Sequence, residues 1–313
     1  MGNDHNHGHS SHEHHKGHSH GPANYNTAFA VGITLNLGFV IIESFYGYIS
    51  NSLALMADAG HNLSDVLGLL LAWGATYLAT KKPSKKYTYG FRSTSILAAL
   101  TNAIFLLVAV GGIAWEAIQR FNSQQQVGTT TVMVVAGIGV LINGITAFLF
   151  MSGRKKDLNL KGAYLHMLSD AAVSVGVVIA ALIISFTGLT WIDPLVSLII
   201  SIVIVAGTWG LLRDSVRLAL HAVPENINRE KVILYLKELS SVNEVHDLHI
   251  WAMSTTETAL TAHLIIKNGH PGDLFLKKLR HDLQHDFGIN HVTVQIELGD
   301  TNEKCEMAPD EVV

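Results

Sequence analysis

The sequence of 313 residues contains one cysteine, Cys305, and this scarcity excludes two kinds of structure. A single cysteine cannot build a disulfide framework, and it cannot build a zinc knuckle that depends on several thiolates. The N-terminus also lacks the short apolar run and the small-residue cleavage site of a secretory signal peptide. The formal net charge of −4 indicates little about partners, because the 18 histidines can change it.

Charged residues are also scarce, at 15% of the chain, and they are rare across 27–213. The polar ends and the positive mean hydropathy indicate a membrane protein with a soluble tail rather than one globular core. Each of the apolar stretches in this range can supply the roughly 20 helical residues that a bilayer core requires. The six stretches are 27–48, 53–80, 94–120, 129–152, 162–187 and 192–213.

The loops between these stretches alternate in basic content, and this alternation predicts an orientation. The second and fourth loops are rich in Lys and Arg, the first and fifth hold none, and the third holds only Arg120. The positive-inside rule therefore places the basic loops and both termini in the cytoplasm. The basic residues are Lys81, Lys82, Lys85, Lys86 and Arg92, then Arg154, Lys155, Lys156 and Lys161.

The two ends of the chain are predicted to be disordered tails, at 1–25 and 299–313. The first is a histidine tract interrupted by Gly, Ser, Asn and Asp, which cannot bury a core but could hold metal loosely. An affinity tag is the alternative interpretation, although tags are usually uninterrupted. The tract contains His5, His7, His9, His12, His14, His15, His18 and His20.

Residues 216–298 have the pattern of a small soluble domain. Helical periodicity at 229–239 and 272–287 alternates with strand patterns at 245–253, 257–267 and 290–297. The order α-β-β-α-β predicts an α+β ferredoxin-like domain with a predominantly antiparallel sheet. We therefore predict a polytopic α-helical membrane protein with six transmembrane helices in 26–215 and this domain in the cytoplasm. About 80 residues make a thin core, so a partner subunit would help to stabilise it.

Two identical pairs of polar residues interrupt the second and fifth apolar stretches. His61 and Asp65 stand four apart, as do His166 and Asp170, so each pair lies on one helix face. Two such helices side by side would present two imidazoles and two carboxylates to one Zn²⁺. The alternative is ordinary interhelical hydrogen bonding, but each Asp at a helix centre costs about 2.5–3.5 kcal/mol without a cation.

The charges of this set suggest a transport cycle. Two carboxylates cancel the charge of a bound Zn²⁺, whereas an empty site would leave two negative charges in a low dielectric and recruit protons. Exchange of Zn²⁺ for H⁺ is therefore the expected mechanism. Asp58 and Asn62 lie beside His61 in the sequence, and either could orient a ligand.

A second group of candidate ligands lies in the soluble domain. His246 and His249 fall on its first strand, His263 on the second, and Glu297 at the end of the last. Adjacent strands could bring His246, His263 and Glu297 together as a regulatory zinc site. Surface histidines are more often solvated polar groups, and this alternative stays open.

These residues resemble the cation diffusion facilitator family, which includes bacterial cobalt-zinc-cadmium resistance antiporters and animal vesicular zinc transporters. The resemblance implies six transmembrane helices, a cytoplasmic ferredoxin-like domain, a homodimer and proton-coupled export of divalent metal. It assigns the transported ion to the two His/Asp pairs, and His61 at the first position is typical of members that favour zinc over cadmium. The segments that carry the resemblance are SLALMADAGHNLSD (52–65), KGAYLHMLSDAAVSVGV (161–177) and VHDLHIWAMS (245–254).

The sequence departs from this family at three places. The loop sequence KKYTYGF lacks the Asp and His that form a further metal site in some relatives, so no site is expected there. QIE at 295–297 lacks one ligand of the two-metal site at the dimer interface of other relatives. His221 stands where relatives often carry an acidic residue, so a charge interlock with Arg92 would be lost or rebuilt.

Two other functions compete with zinc/proton antiport across a bacterial inner membrane. An intramembrane zinc metallohydrolase would need an open zinc position and a general base, and no H-E-x-x-H motif is present. A metal-sensing membrane scaffold would leave the two buried His/Asp pairs unexplained. We therefore expect a carrier rather than an enzyme, with divalent metals, lipid and a second copy of the chain as partners and no nucleic acid.

Overall fold

A computed structural model of the protein describes residues 25–121, 125–151, 158–299 and Cys305. The histidine tract of the predicted N-terminal tail lies outside the described residues, as does most of the predicted C-terminal tail. The basic cluster at 154–156 also lies outside them.

Long helices account for nearly all of the first two thirds of the described chain. Within the described ranges, four segments are long and apolar enough to cross a membrane, at 94–120, 129–148, 164–187 and 192–219. The second helix carries Asp58, His61 and Asp65, which lower its mean hydropathy. The helices are α1 (Tyr25–Ile49), α2 (Leu53–Ala79), α3 (Thr94–Arg120), α4 (Thr129–Met151), α5 (Leu158–Thr187) and α6 (Ile192–Ala219).

The outer surface of this helical bundle is apolar. Large side chains such as Val108, Phe148, Phe186 and Ile202 are mostly exposed. A surface this apolar is unfavourable in water and suits contact with lipid. The bundle therefore has the surface of a membrane domain.

Helix α2 is the centre of the bundle, because it packs against α1, α3, α5 and α6. Its N-terminus is fixed to α6 through Asp193, a buried residue in the first turn of that helix. Ser52 Oγ donates a hydrogen bond to Asp193 Oδ1 (2.5 Å), and the Leu53 N–H donates to Oδ2 (2.6 Å). The carboxylate satisfies N-terminal donors that the helix itself leaves unpaired.

The C-terminal domain has the predicted order of elements. They are α7 (Arg229–Glu238), β1 (Glu244–Ala252), β2 (Thr258–Ile265), α8 (Asp273–Phe287) and β3 (His291–Glu297). Leu236, Leu260, Leu264 and Leu283 are fully buried between helices and sheet. Tyr235 donates a hydrogen bond to Asp282 on α8 (2.8 Å), and burial together with that carboxylate raises the pKa of Tyr235, which keeps its hydroxyl a donor.

The sheet differs from the predominantly antiparallel sheet that the sequence predicts. Its strand order is β1-β2-β3, with β1 antiparallel and β3 parallel to β2. The parallel pairing arises because the chain between β2 and β3 passes through α8, and this crossover returns it in the same direction. The domain is thus α+β with a small mixed sheet.

The C-terminal domain contacts the loop between α2 and α3. Arg92 Nη1 lies 2.6 Å from Glu257 Oε2 in the turn between β1 and β2. Ser93 Oγ donates to the Met253 carbonyl (3.2 Å), and the Thr255 N–H donates to Ser95 Oγ (3.1 Å). Arg92 thus has an acidic partner in the C-terminal domain, Glu257.

Candidate metal sites

The two His/Asp pairs of α2 and α5 meet at one point in the bundle. His61 Nε2 lies 3.2 Å from Asp170 Oδ1 and 3.8 Å from Asp65 Oδ2. His166 Nε2 lies 3.3 Å from Asp65 Oδ2 and 3.7 Å from Asp170 Oδ2. Each carboxylate therefore faces both imidazoles, and we name these four residues the helical cluster.

These separations suit four donors around a small cation. With zinc–ligand bonds of about 2.0–2.1 Å, the edge of a tetrahedron is about 3.3 Å. The imidazole–carboxylate separations of 3.2 to 3.8 Å lie at or slightly above that edge. Donor atoms of His61, Asp65 and Asp170 lie within 4.8 Å of one another, whereas His166 lies outside that group, so a four-coordinate cation would require the His166 imidazole to move toward the other three donors. Two anionic oxygens and two neutral nitrogens would balance a charge of +2.

Three residues of the helical cluster, Asp65, His166 and Asp170, line a cleft of about 280 Å³. The side chain of Asp170 is only 3% exposed, whereas that of Asp65 is 34% exposed. Asn36, Asn102 and Asn143, from α1, α3 and α4, also line the cleft. Their amide oxygens are suitable partners for a hydrated cation, so the cleft offers a polar approach to the cluster.

Each of the two residues predicted to orient a ligand forms a hydrogen bond to a neighbouring helix. Asp58 accepts a hydrogen bond from Ser174 Oγ on α5 (2.7 Å). Asn62 Nδ2 donates to Glu43 Oε2 on α1 (2.9 Å), and Glu43 is fully buried. Both bonds lie within one helical turn of His61, so they fix how α2 presents its ligands to α5.

Sequence reasoning missed Asp193, which anchors the N-terminus of α2 to α6. The only sequence signal was a charged residue at the start of the last apolar stretch, next to Pro194. Acidic residues in apolar stretches are costly unless they have partners, so a carboxylate at this position predicts a partner on another helix. The same reasoning applies to Glu43, which has a partner on the neighbouring helix.

The C-terminal domain brings together three of its four candidate ligands. His246 and His263 are directly paired across β1 and β2, and β3 places Glu297 beside Ile265. Glu297 Oε1 lies 2.9 Å from His263 Nδ1, and Oε2 lies 3.4 Å from His246 Nε2. His246, His263 and Glu297 can therefore face one ion.

His249 is separated from these three residues by an irregularity in β1. The register shifts between His246 and His249, and Asp247 adopts a left-handed conformation with φ of 50°. His249 Nε2 bonds to Asp247 Oδ1 at 2.7 Å and is partly exposed. In a regular strand, His249 would lie on the face opposite to His246. The bulge between them interrupts this alternation, so the spacing of the two residues does not fix the face of His249. His249 does not join the group of potential ligands among the described residues.

Cys305, beyond the end of β3, lies beside this group instead. Its Sγ is 3.8 Å from His263 Nδ1, and it joins His246, His263 and Glu297 in a group whose donor atoms lie within 4.8 Å of one another. We name these four residues the sheet cluster. The single cysteine of the chain therefore lies beside three other potential metal ligands.

Comparison with known proteins gives matches along almost the whole chain. The cadmium, cobalt and zinc/H⁺-K⁺ antiporter of Bacillus subtilis strain 168 is 36% identical over 286 residues, covering 90% of this chain and 92% of that protein. The zinc transporter ZitB of Escherichia coli K12 is 36% identical over 292 residues, covering 92% of both. The metal cation efflux system protein CzcD of Cupriavidus metallidurans is 36% identical over 294 residues, covering 93% of this chain and 92% of that protein.

Two family descriptions match the two parts of the fold. Residues 29–218 match the cation efflux transmembrane domain, and residues 224–298 match the cation efflux protein cytoplasmic domain. The first match spans the helical bundle and the second spans α7 to β3. The resemblance predicted from the His/Asp motifs is thereby confirmed. The chain belongs to the cation efflux family, also known as the cation diffusion facilitator family.

Proposed function

We propose that the protein is an antiporter that exports Zn²⁺ from the cytoplasm in exchange for protons. The observation that carries this proposal is the convergence of the two His/Asp pairs of α2 and α5, with separations of 3.2 to 3.8 Å. Four protein donors would fill the coordination of a tetrahedral Zn²⁺ and leave no open position for a catalytic water. Such a site favours carriage over hydrolysis.

Protons are the proposed counter-ions because the helical cluster is neutral only when it is occupied. Removing Zn²⁺ leaves the Asp65 and Asp170 carboxylates near each other, with Asp170 almost completely buried. Proton binding to the four donors restores neutrality, and a returning metal must displace those protons because ligating groups are deprotonated. The same donors would therefore carry metal in one direction and protons in the other.

Zinc is the proposed cargo because the donor set is mixed. Imidazoles favour zinc and other late divalent metals, whereas a site made only of carboxylates would favour harder ions. ZitB of Escherichia coli is named a zinc transporter, and the Bacillus subtilis relative is named for cadmium, cobalt and zinc. His61, as a neutral nitrogen ligand, is the residue we assign to the zinc preference.

The proposed topology has six spans in residues 26–215, with both termini in the cytoplasm of a bacterium and the chain in the inner membrane. The loop that carries Lys81 to Lys86 leads directly to Arg92, which pairs with Glu257 of the C-terminal domain. The positive-inside rule favours the cytoplasm for this loop, and its contact with the C-terminal domain favours the same side for that domain. We propose that two copies assemble through residues 216–298, since so small a domain gains stability from a partner.

Flux into proteoliposomes that contain the purified chain tests this proposal. With the C-terminal domain outside, an acidic lumen should drive external zinc inward, and zinc alone should raise the lumenal pH. Vesicles with and without lumenal K⁺ show whether potassium also exchanges, as the name of the Bacillus subtilis relative includes that ion. Zinc flux that is unaffected when an ionophore collapses the proton gradient, with no change in lumenal pH, would contradict proton antiport.

The matched variants for this assay lie next to each other on α5. Asp170→Ala removes one donor of the helical cluster, whereas Ser169→Ala changes an exposed residue whose hydroxyl donates to the Leu165 carbonyl of its own helix. We expect flux to be lost in the first variant and retained in the second. Equal flux in both would place the transport site elsewhere. A hydrolase or a metal-sensing scaffold would show no zinc flux even with the unaltered chain.

A further inference from the structure

We propose that Glu43 and Asp58 share one proton, which stays on this carboxyl pair throughout the transport cycle and holds α1 against the helices that carry the metal donors. The pair is distinct from the helical cluster, and its proton is not one of those exchanged for metal. The inference rests on the proposed antiport, because its functional assay is zinc flux. Glu43 and Asp58 are positioning residues, since neither belongs to the four donors.

The two carboxyl groups lie together between α1 and α2. Both side chains are fully buried, and they are in hydrogen-bonding contact with each other. Asn62 stands four residues after Asp58, on the same face of α2, and its Nδ2 donates to Glu43 Oε2 at 2.9 Å. This second contact fixes Glu43 against the face of α2 that carries Asp58.

Each carboxyl group has one oxygen that lacks a donor. Glu43 Oε2 accepts from Asn62, and Asp58 Oδ2 accepts from Ser174 Oγ at 2.7 Å. Glu43 Oε1 and Asp58 Oδ1 are buried and have no hydrogen-bond partner among the described residues. Ionised carboxylates can only accept hydrogen bonds, so neither group could donate one to the other. One proton shared between them supplies the missing donor and makes a strong O–H···O⁻ bond.

The helices that carry the pair contain no basic residue to offset two negative charges. Residues 25–49 and 53–79, which form α1 and α2, include no Lys or Arg. The other titratable groups that interact with Asp58 are His61 and Asp170 of the helical cluster. Two adjacent carboxylates in a low dielectric cannot both stay ionised without a cation. A shared proton halves the charge of the pair.

The hydrogen bonds of the pair lead to residues next to the metal donors. Asn62 follows His61 on α2, and Ser174 stands four residues after Asp170, on the same face of α5. The pair therefore joins α1, α2 and α5 beside the helical cluster, although α1 contributes no donor to it. A proton that remained on the pair would keep these contacts with and without bound metal, so the donors of α2 and α5 would stay aligned.

Substitutions at Glu43 separate a shared proton from a required negative charge. In Glu43→Gln the amide N–H can donate to Asp58, and the amide oxygen can still accept from Asn62. Glu43→Met has a similar length but no donor or carboxyl oxygen, so it leaves both neighbours without that partner. We expect Glu43→Gln to retain most of the zinc flux, and Glu43→Met to lower kcat/KM by about tenfold or more.

The change in lumenal pH per zinc transported is measured in the same proteoliposomes. It should be the same in Glu43→Gln as in the unaltered chain, because the proton of the pair is not exchanged. Flux as low in Glu43→Gln as in Glu43→Met, at matched amounts of inserted protein, would show that the negative charge is needed and overturn the proposal. Equal flux in both variants and the unaltered chain would overturn it as well, because no donor would be required. Fewer protons per zinc in Glu43→Gln would make the proton an exchanged one.

Infrared spectroscopy of the full-length protein in detergent detects the proton without a measurement of transport. A protonated carboxyl group has a C=O stretching band that ionised carboxylates lack, and this band shifts in D₂O. Zinc binding deprotonates the ligating carboxylates, so the zinc-loaded protein contains no such signal from Asp65 or Asp170.

The spectrum of the unaltered chain minus that of Glu43→Gln should therefore contain one protonated-carboxyl band at neutral pH, both with and without zinc. If the difference spectrum contains no such band, both groups are ionised and the proposal is wrong. If the unaltered chain shows no zinc flux, the proposed antiport fails, and the infrared band still decides whether the pair holds a proton.

Discussion

Replacing Asp170 by asparagine should weaken zinc transport more than the same change at Asp65. Asparagine keeps the shape and one oxygen donor, so the substitution removes mainly a negative charge. With one carboxylate gone, the loaded helical cluster would carry a net charge of +1 instead of zero. The cost of that charge depends on how far water can screen it, and the two positions differ in this respect.

The magnitude follows from the exposure of each side chain. Asp170 is 3% exposed, so its loss leaves a nearly unscreened charge, worth about 2.5–3.5 kcal/mol at a helix centre or about 60- to 300-fold in affinity. Asp65 is 34% exposed, so water partly screens the charge left by its substitution. The expected cost lies between that of a buried charge and that of an exposed ion pair, at about 1–2 kcal/mol or about 5- to 30-fold in affinity. Alanine at either position also removes the oxygen donor and should abolish flux.

The assay is the zinc dependence of initial flux in proteoliposomes, expressed as kcat/KM for the unaltered chain, Asp65→Asn, Asp170→Asn and the control Ser169→Ala. Matched amounts of protein in the vesicles exclude differences in insertion. Equal losses in the two Asn variants, or a larger loss for Asp65→Asn, would refute the argument from exposure. A change below about fivefold for Asp170→Asn would also show that its charge does not face the ion.

Three further predictions concern other parts of the molecule. His61→Asp replaces a neutral nitrogen by an anionic oxygen and should broaden selectivity toward Cd²⁺ or Mn²⁺, and an unchanged ranking in competition assays would contradict this role. Deletion of residues 2–20 should raise the apparent KM for zinc modestly and leave maximal flux nearly intact, whereas a dead transporter would give the tail a gating role. Asp193→Ala should leave the buried donors at the start of α2 unpaired and lower the free energy of unfolding by about 1–3 kcal/mol. Thermal unfolding in detergent checks this against Asp214→Ala, which removes a partly exposed carboxylate of the same helix that pairs only with its neighbour Arg213 among the described residues, and equal midpoints would contradict the anchoring role.

The order and the bounds of the helices were predictable because each helix is encoded by its own local sequence. The predicted stretches 94–120 and 129–152 nearly coincide with α3 and α4, since apolar composition alone marks them. The order of elements after α6 was also predictable from periodicity. The direction of β3 was not, because hydrophobic alternation is the same in a parallel and an antiparallel strand.

The helical cluster was predictable for a related reason. Spacing of four residues fixes which face of a helix a pair occupies, and a charged residue in an apolar stretch requires a partner. Repetition of the pair on a second stretch then supplied that partner. The structure places His61, Asp65, His166 and Asp170 together, as this reasoning predicted, and their role as zinc ligands remains a prediction.

Contacts that depend on chain direction or on distant segments could not be predicted. Asp193 is 141 positions from Ser52, and no periodicity relates the two residues. Cys305 is 42 positions from His263 and lies past the last strand. His249 was a candidate because histidines are dense in this domain, and such density does not show which of them face one point; among the described residues His249 lies outside the group of potential ligands.

The hydrogen bonds of α2 constrain how a transport cycle can operate. This helix carries His61 and Asp65 and is bonded to α6 through Asp193, to α1 through Asn62 and to α5 through Asp58. The bond to Ser174 of α5 lies next to the helical cluster, so breaking it would separate the two halves of the site. Rotation of α1, α2 and α5 together would instead preserve the site, and because α5 packs most extensively against α4, this group would include α4 and need rearrangement where it meets α3 and α6. Since breaking a buried bond leaves polar groups unpaired at a cost of about 1–3 kcal/mol each, the second motion is favoured. Alternating access is therefore expected to move α2 and α5 as one unit, with the bond to Asp193 as the pivot at the N-terminus of α2.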